Sequence, residues 1–157
     1  MFAKGGSMEI KAPNNYEDQP RPWIFLAGSI EMGEAKNWQE KFVKDLPEFT
    51  ILNPRRDDWD SSWEQSIDNE QFREQVEWEL EAQENADAVV FHFEPDTKSP
   101  ITLLELGLFR HKAIVHCPEG FWRKGNVDIV CDKYGILRAS SLKRIADIIS
   151  YMKKKGE

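Results

Sequence analysis

A chain of 157 residues, 40% hydrophobic and 31% charged, is long enough to bury a substantial core and ordinary in composition for one globular domain. Its formal net charge of -7 argues against coating DNA or RNA, because the phosphate backbone would be repelled, while leaving room for a small anionic ligand held by local donors. No window reaches the roughly 20 apolar residues of a membrane span, the first 22 residues lack the continuous apolar stretch of a secretory signal, and two cysteines do not make a disulfide framework; a reduced, cytoplasmic protein without membrane attachment is expected.

Residues 1–22, rich in Gly, Pro, Asn and charge, read as a flexible N-terminal arm in which Met8 offers a natural start. Residues 23–157 read as a single domain. Residues 23–28 (WIFLAG) form an apolar run ended by glycine, the pattern of a central parallel strand. A loop follows over 29–33. Ala35, Trp38, Phe42, Val43 and Leu46 recur at helical spacing and predict a helix over 34–46. Residues 49–52 predict a second strand, stopped by Asn53-Pro54, and 55–60 are a charged loop. A long helix is predicted over 67–85, with Phe72, Val76, Leu80 and Ala82 as a narrow apolar stripe. Residues 88–93 predict a third strand, 100–111 a helix, 113–117 a fourth strand, 127–131 a fifth and 142–152 a closing helix. Lys153 to Lys155 suit the negative end of that helix.

Strands alternating with helices predict an α/β fold: a flavodoxin-like three-layer sandwich with a five-stranded parallel sheet in the order 2-1-3-4-5. Ligands of such sheets bind outside the carboxyl ends of the strands, where the order reverses. The loops predicted to meet there are 28–30 and 95–102, flanked by 53–60.

The helix that starts at Pro100 carries one acid, Glu105, with Leu103, Leu104, Leu106 and Leu108 around it. Ser99 suits its N-cap and Pro100 its first position. A carboxylate among leucines must be paired, protonated or functional. Glu79, beside Trp78 on the preceding helix, is the second carboxylate of interest; Glu70, Glu74, Glu77, Glu81 and Glu84 read as a solvated face. Glycosyl transfer uses such a pair: one carboxylate attacks the anomeric carbon, and other polar groups orient it and manage the leaving-group proton. Gly28-Ser29 can offer backbone N–H groups to a phosphate or sugar hydroxyl; it matches neither a P-loop nor a dinucleotide fingerprint, and a plain tight turn explains it equally well. The 55–60 loop is either mutually paired surface charge or a lip that contacts a base or sugar with Asp58, Trp59 or Arg55. Thr102, at the end of the converging 95–102 loop, is a further substrate-binding candidate. His92, His111 and His116 lack ligand spacing, so no metal is expected, and no nucleophile elbow is present.

Three stretches in this order, Phe25-Leu26-Ala27-Gly28-Ser29, then Trp78-Glu79-Leu80 with Ala86-Asp87, then Thr102-Leu103-Leu104-Glu105-Leu106-Gly107, resemble the nucleoside 2-deoxyribosyltransferase family in its divergent transferase-like branch, over about residues 23–115. The resemblance implies a flavodoxin-like fold and cleavage of the N-glycosidic bond of 2′-deoxynucleosides through a covalent deoxyribosyl-glutamate, with transfer to another nucleobase and no cofactor. It implies Glu105 as the nucleophile. Glu79 falls, eight residues before Asp87, where the family has an aspartate. Six residues before Glu105 the family has another aspartate, and here stands Ser99. A serine there, with 28–30, is similar to the deoxynucleoside 5′-monophosphate N-glycosidases, whose serines bind the 5′-phosphate and in which water replaces the acceptor base. Ser29 and Ser99 are therefore substrate-binding candidates, and such a hydrolase is the alternative. A non-catalytic nucleotide-binding module on the same fold is a third reading. Both families complete their sites across a subunit interface, which implies a homo-oligomer. Asn126, expected in a polar loop over 123–126, is a candidate to reach a neighbouring subunit's sugar. The expected partners are a small nucleoside or nucleotide and a free nucleobase, with no nucleic acid polymer.

Overall fold

The apolar run that ends in Gly28 lies at the centre of the sheet. The structure, a computed structural model, describes residues 7–29 and 37–156. In chain order it contains β1 (Met8–Lys11), β2 (Trp23–Gly28), α1 (Trp38–Val43), β3 (Thr50–Asn53), α2 (Glu70–Asn85), β4 (Ala88–His92), α3 (Pro100–Leu108), a 3-10 turn (Arg110–Lys112), β5 (Ala113–His116), α4 (Lys124–Tyr134), β6 (Leu137–Arg138) and α5 (Leu142–Gly156). The strands form one sheet in the order β1-β3-β2-β4-β5-β6, parallel throughout.

Alternation along β2 explains why its run is continuously apolar. Trp23, Phe25 and Ala27 pack on one face with Ala82 of α2, Leu106 of α3, and Val127 and Cys131 of α4. Ile24 and Leu26 pack on the other with Trp38 and Phe42 of α1 and Ile145, Ala146 and Ile149 of α5. A strand buried on both faces needs apolar residues at every position. Each large buried side chain such as Phe25 or Leu26 contributes roughly 1.5–3 kcal/mol.

The three-layer parallel architecture is as expected, with two corrections. The sheet has six strands, not five. The added strand, β1, comes from the 1–22 segment and pairs with β3 from Met8 opposite Thr50 to Lys11 opposite Asn53. That segment also buries Ala12 and Tyr16, and the Tyr16 ring stands edge-on to Trp23 at 5.2 Å and Trp78 at 5.8 Å. The fifth strand is not at 127–131. Those residues lie in α4, where Val127 and Cys131, one turn apart, face the core and Ile129 and Val130 face outward. A short apolar run is ambiguous between strand and helix. The last strand is β6, two residues paired with Ile114 and Val115. Omitting β1, the order β3-β2-β4-β5-β6 is the expected 2-1-3-4-5.

Of the helix predicted over 34–46, residues 38–43 are helical, while 34–36 and the loop residues 30–33 lie outside the described residues. The next helix starts at Glu70 because the Asn69 side chain accepts from the Phe72 N–H at 2.9 Å. Asp87 accepts from the Trp23 N–H at 2.7 Å and pairs with Arg21, so the Ala86-Asp87 element fastens the start of β2. Cys117 and Cys131 are free and buried, and burial pushes the Cys117 thiol up to about 11. No described helix is long and apolar enough to cross a membrane.

Candidate active site

Gln75, Glu79 and Gln83 recur every four residues along α2 and therefore share one face of the helix. Both glutamines are buried. From the neighbouring α3, the buried residues are Thr102, Glu105 and Leu106. The two faces meet through Gln83, whose Nε2 donates to Glu105 Oε2 at 2.7 Å and to the Glu79 carbonyl at 3.1 Å. Gln83 Oε1 is buried and has no hydrogen-bond partner among the described residues. Two turns before Gln83, Gln75 Nε2 donates to the Pro54 carbonyl at 2.8 Å.

Only 7% of Glu105 is exposed. Burial raises its carboxyl to about 7, against the opposing pull of the Gln83 hydrogen bond. Glu79 is half-buried as a residue, and its carboxyl is the crowded end. Burial pushes that carboxyl well above the usual carboxylate range, and the Glu105 charge pushes it further, while a Gln75 hydrogen bond holds it back. Two like charges in one desolvated site do not ionise together, so the pair titrates as a unit. Of the two, Glu79 is the one pushed further by its neighbour's charge. Such a pair can present one carboxylate and one carboxylic acid at the same time. Unequal neighbouring acids are the arrangement that divides nucleophile or base from proton donor.

At the carboxyl ends of β2 and β4, where the strand order reverses, stand Gly28-Ser29 and the 93–99 loop that leads into α3. A family model described as nucleoside 2-deoxyribosyltransferase like matches residues 21–121. The chain belongs to the nucleoside 2-deoxyribosyltransferase-like family. A search of curated proteins finds no match to it. The family match covers β2 to β5, and with them Glu79, Gln83 and Glu105; β1, α4, β6 and α5 lie outside it.

The other expected site residues of this family member fall into several environments. Ser99 sits at the N-cap position of α3 but does not cap it. Its backbone is left-handed (φ 49°, ψ 47°), which costs a non-glycine residue roughly 1–3 kcal/mol, and its buried hydroxyl bonds Thr97 Oγ1 at 2.6 Å. Pro100 occupies the first turn as expected. Thr102 is buried one turn before Glu105. Gly28 is dictated by packing: a Cβ there would lie 2.7 Å from Trp38 Nε1 and 2.9 Å from the His92 carbonyl. Ser29 is half-buried, and Ile30 lies outside the described residues. Asp58 is exposed and paired with Arg56 at 2.9 Å, while its neighbour Asp57 pairs with Lys11 of β1. Trp59 is half-buried, edge-on to Trp63 at 5.0 Å. Asn126 is exposed in the first turn of α4, a helix and not the expected loop.

The leucines around Glu105 do not all enclose it: Leu104 and Leu108 are 62% and 53% exposed. Its burial is supplied by α2, through Gln83. Sequence reasoning missed Gln75 and Gln83, although their four-residue spacing with Glu79 was a usable signal. It also missed the contact between His92 and His116. Among the described residues, no group of three or more His, Cys, Asp or Glu side chains could hold a metal ion.

Proposed function

We propose that this chain cleaves the N-glycosidic bond of 2′-deoxynucleosides and transfers the deoxyribosyl group to another nucleobase. The observation that carries the reading is the pair of Glu105 and Glu79, both raised by burial and coupled by charge, with Gln83 bonded to Glu105 at 2.7 Å. The Glu105 carboxylate attacks C1′ as the C1′–N bond breaks, and the leaving base takes the Glu79 proton. Oxocarbenium character at C1′ is stabilised by the Glu105 charge, in a site from which water is largely excluded. The acceptor base then attacks C1′, the ester bond to Glu105 breaks, and Glu79 recovers a proton from the incoming base. Ser29, Ser99 and Thr102 would hold the sugar and its 5′ group, with Trp59 near the base.

Incubation with deoxyinosine and adenine tests this. Deoxyadenosine and hypoxanthine are expected. Absence of exchange, or a wild-type rate in Glu105→Ala, overturns it.

One observation favours a second reading. The Ser99 hydroxyl turns away from helix capping and into the 93–99 loop, where an aspartate would serve a transferase. Hydrolysis of a deoxynucleoside 5′-monophosphate would release free base with no exchange in the same assay. A binding module without catalysis would give calorimetric binding and no bond cleavage. The resemblance also suggests a homo-oligomer, and the outward row of Ile101, Leu104 and Leu108 on α3 offers an apolar face for one. The free, buried thiols suit a cytoplasmic setting.

A further inference from the structure

At the carboxyl end of α2 the Ala86 N–H bonds the Ala82 carbonyl, and the Asp87 N–H turns away to the Trp23 carbonyl of β2. The carbonyls of residues 83–86 are therefore left without a partner in the helix ladder. α2 has no basic residue in its own last turn. Two cations from elsewhere in the chain meet all four carbonyls. Lys112 Nζ donates to those of Gln83 at 3.1 Å, Glu84 at 2.7 Å and Ala86 at 2.7 Å. Arg21 Nη1 donates to that of Asn85 at 3.0 Å. Both also face the negative pole of the helix dipole.

The two cations tie different parts of the fold. Arg21 belongs to the segment before β2 and reaches on to Asp87 at 3.1 Å. Lys112 ends the 3-10 turn that follows α3, so its bonds join the two helices that carry Glu79, Gln83 and Glu105. A ring of hydrogen bonds runs through it. The Glu105 carbonyl accepts from the Phe109 N–H at 2.9 Å, and the Phe109 carbonyl accepts from the Lys112 N–H at 3.1 Å. Lys112 Nζ then donates to the Gln83 carbonyl, and Gln83 Nε2 donates to Glu105 Oε2 at 2.7 Å. The ring begins and ends on Glu105.

A hydrogen bond between side chains of two helices weakens steeply with small changes of distance and angle. Lys112 is the place where this ring fixes the separation. Its side chain is half-buried. Burial pulls the ammonium down, the charges of Asp87 and Glu84 hold it up, and Arg21 opposes them.

We infer that Lys112 is a positioning residue for Glu105: it holds the end of α2 against the turn after α3, and so keeps the Gln83 amide within bonding distance of the Glu105 carboxylate. The nucleophilic role of Glu105 rests on the proposed function; the clasp does not.

Carbon-13 NMR of the Glu105 carboxyl in the labelled full chain follows its titration with or without turnover. The midpoint, about 7 in wild type, should rise by roughly half to one pH unit in Lys112→Met, the worth of one weakened hydrogen bond. Lys112→Arg keeps the charge and the donors, and should keep the wild-type midpoint. Arg21→Ala uncovers a carbonyl on the same helix end but lies outside the ring, so the midpoint should stay in place. Loss of a positive charge would itself raise a carboxyl, and Glu79 on α2 is coupled to Glu105 in every variant. The comparison that separates these is made in Gln83→Leu, where adding Lys112→Met should produce no further shift. Lys112→Gln replaces Lys112→Met where the latter does not fold, with the same expectations. An unchanged midpoint in the folded variant, an equal shift in Arg21→Ala, a shift in Lys112→Arg, or a full shift that persists in Gln83→Leu overturns the inference. In active protein the acid limb of kcat/KM should follow the same shifts. If wild-type protein turns over nothing, the proposed function fails, and the carboxyl titration still decides the clasp.

Discussion

Gln83 Nε2 donates to Glu105 Oε2 at 2.7 Å across the α2–α3 contact, and this bond stabilises the charged form of a carboxylate that burial otherwise keeps protonated. Gln83 is thus the residue that favours the Glu105 carboxylate, the form the proposed attack needs. In Gln83→Leu the Glu105 carboxyl should rise further above about 7. A charged hydrogen bond is worth about 1.5–3 kcal/mol, so the acid limb of the kcat/KM profile should move up by roughly one to two pH units. A limb that stays in place would mean that Gln83 does not tune Glu105.

Glu105 also leaves a signature in stability. Its carboxyl is raised in the folded protein, so the native state holds this proton more tightly than the unfolded chain does. That contribution is fully present below the unfolded value, about 4.5, and is lost as pH rises through about 7. His116 works in the opposite sense: its lowered value favours the folded protein above about 6.5, a contribution lost as pH falls through about 4. Comparing wild type with Glu105→Gln cancels the histidine contribution. The stability gained by Glu105→Gln over wild type should grow by roughly 3 kcal/mol between pH 5 and 8, measured by urea denaturation. A difference independent of pH would contradict the raised carboxyl.

Gly28 should tolerate no side chain. The added Cβ of Gly28→Ala would meet a buried indole and a strand carbonyl, neither of them a flexible side-chain end. Overpacking of this kind costs about 1–3 kcal/mol, and thermal unfolding should register it even where the substrate is absent. Wild-type stability in this variant would show that Trp38 can move aside.

Asp58 offers the contrasting case. Its carboxylate is exposed and held by Arg56, and exposed pairs contribute little. Asp58→Ala should leave KM within about twofold of wild type. A large rise in KM would restore Asp58 as a substrate contact.

The order of the central strands was readable because β2, β4 and β5 are buried and written as largely apolar runs, with the Ile51-Leu52 centre of β3 between them in sequence. The edge was not. β1 is four residues, Met8–Lys11, half-buried and alternating apolar with charged, a signal that a flexible polar arm also produces. The misplaced strand at 127–131 had a counter-signal in Gly135, whose left-handed backbone (φ 65°) ends α4. Glu105 was readable as an oddity, but its leucine surroundings were misjudged, since Leu104 and Leu108 face outward. Its actual neighbour, Gln83, looked like one more polar residue on an acidic helix. The contact of His92 with His116 depends on strand register, which strand order alone does not fix.

The most direct measurement is intact-protein mass spectrometry of enzyme quenched during turnover of a 2′-deoxynucleoside. The account predicts a species heavier by one deoxyribosyl group, mapping to Glu105 after proteolysis, discharged by adding a second nucleobase and absent in Glu105→Gln. Turnover at a wild-type rate in Glu105→Gln, or an adduct on another residue, would contradict it.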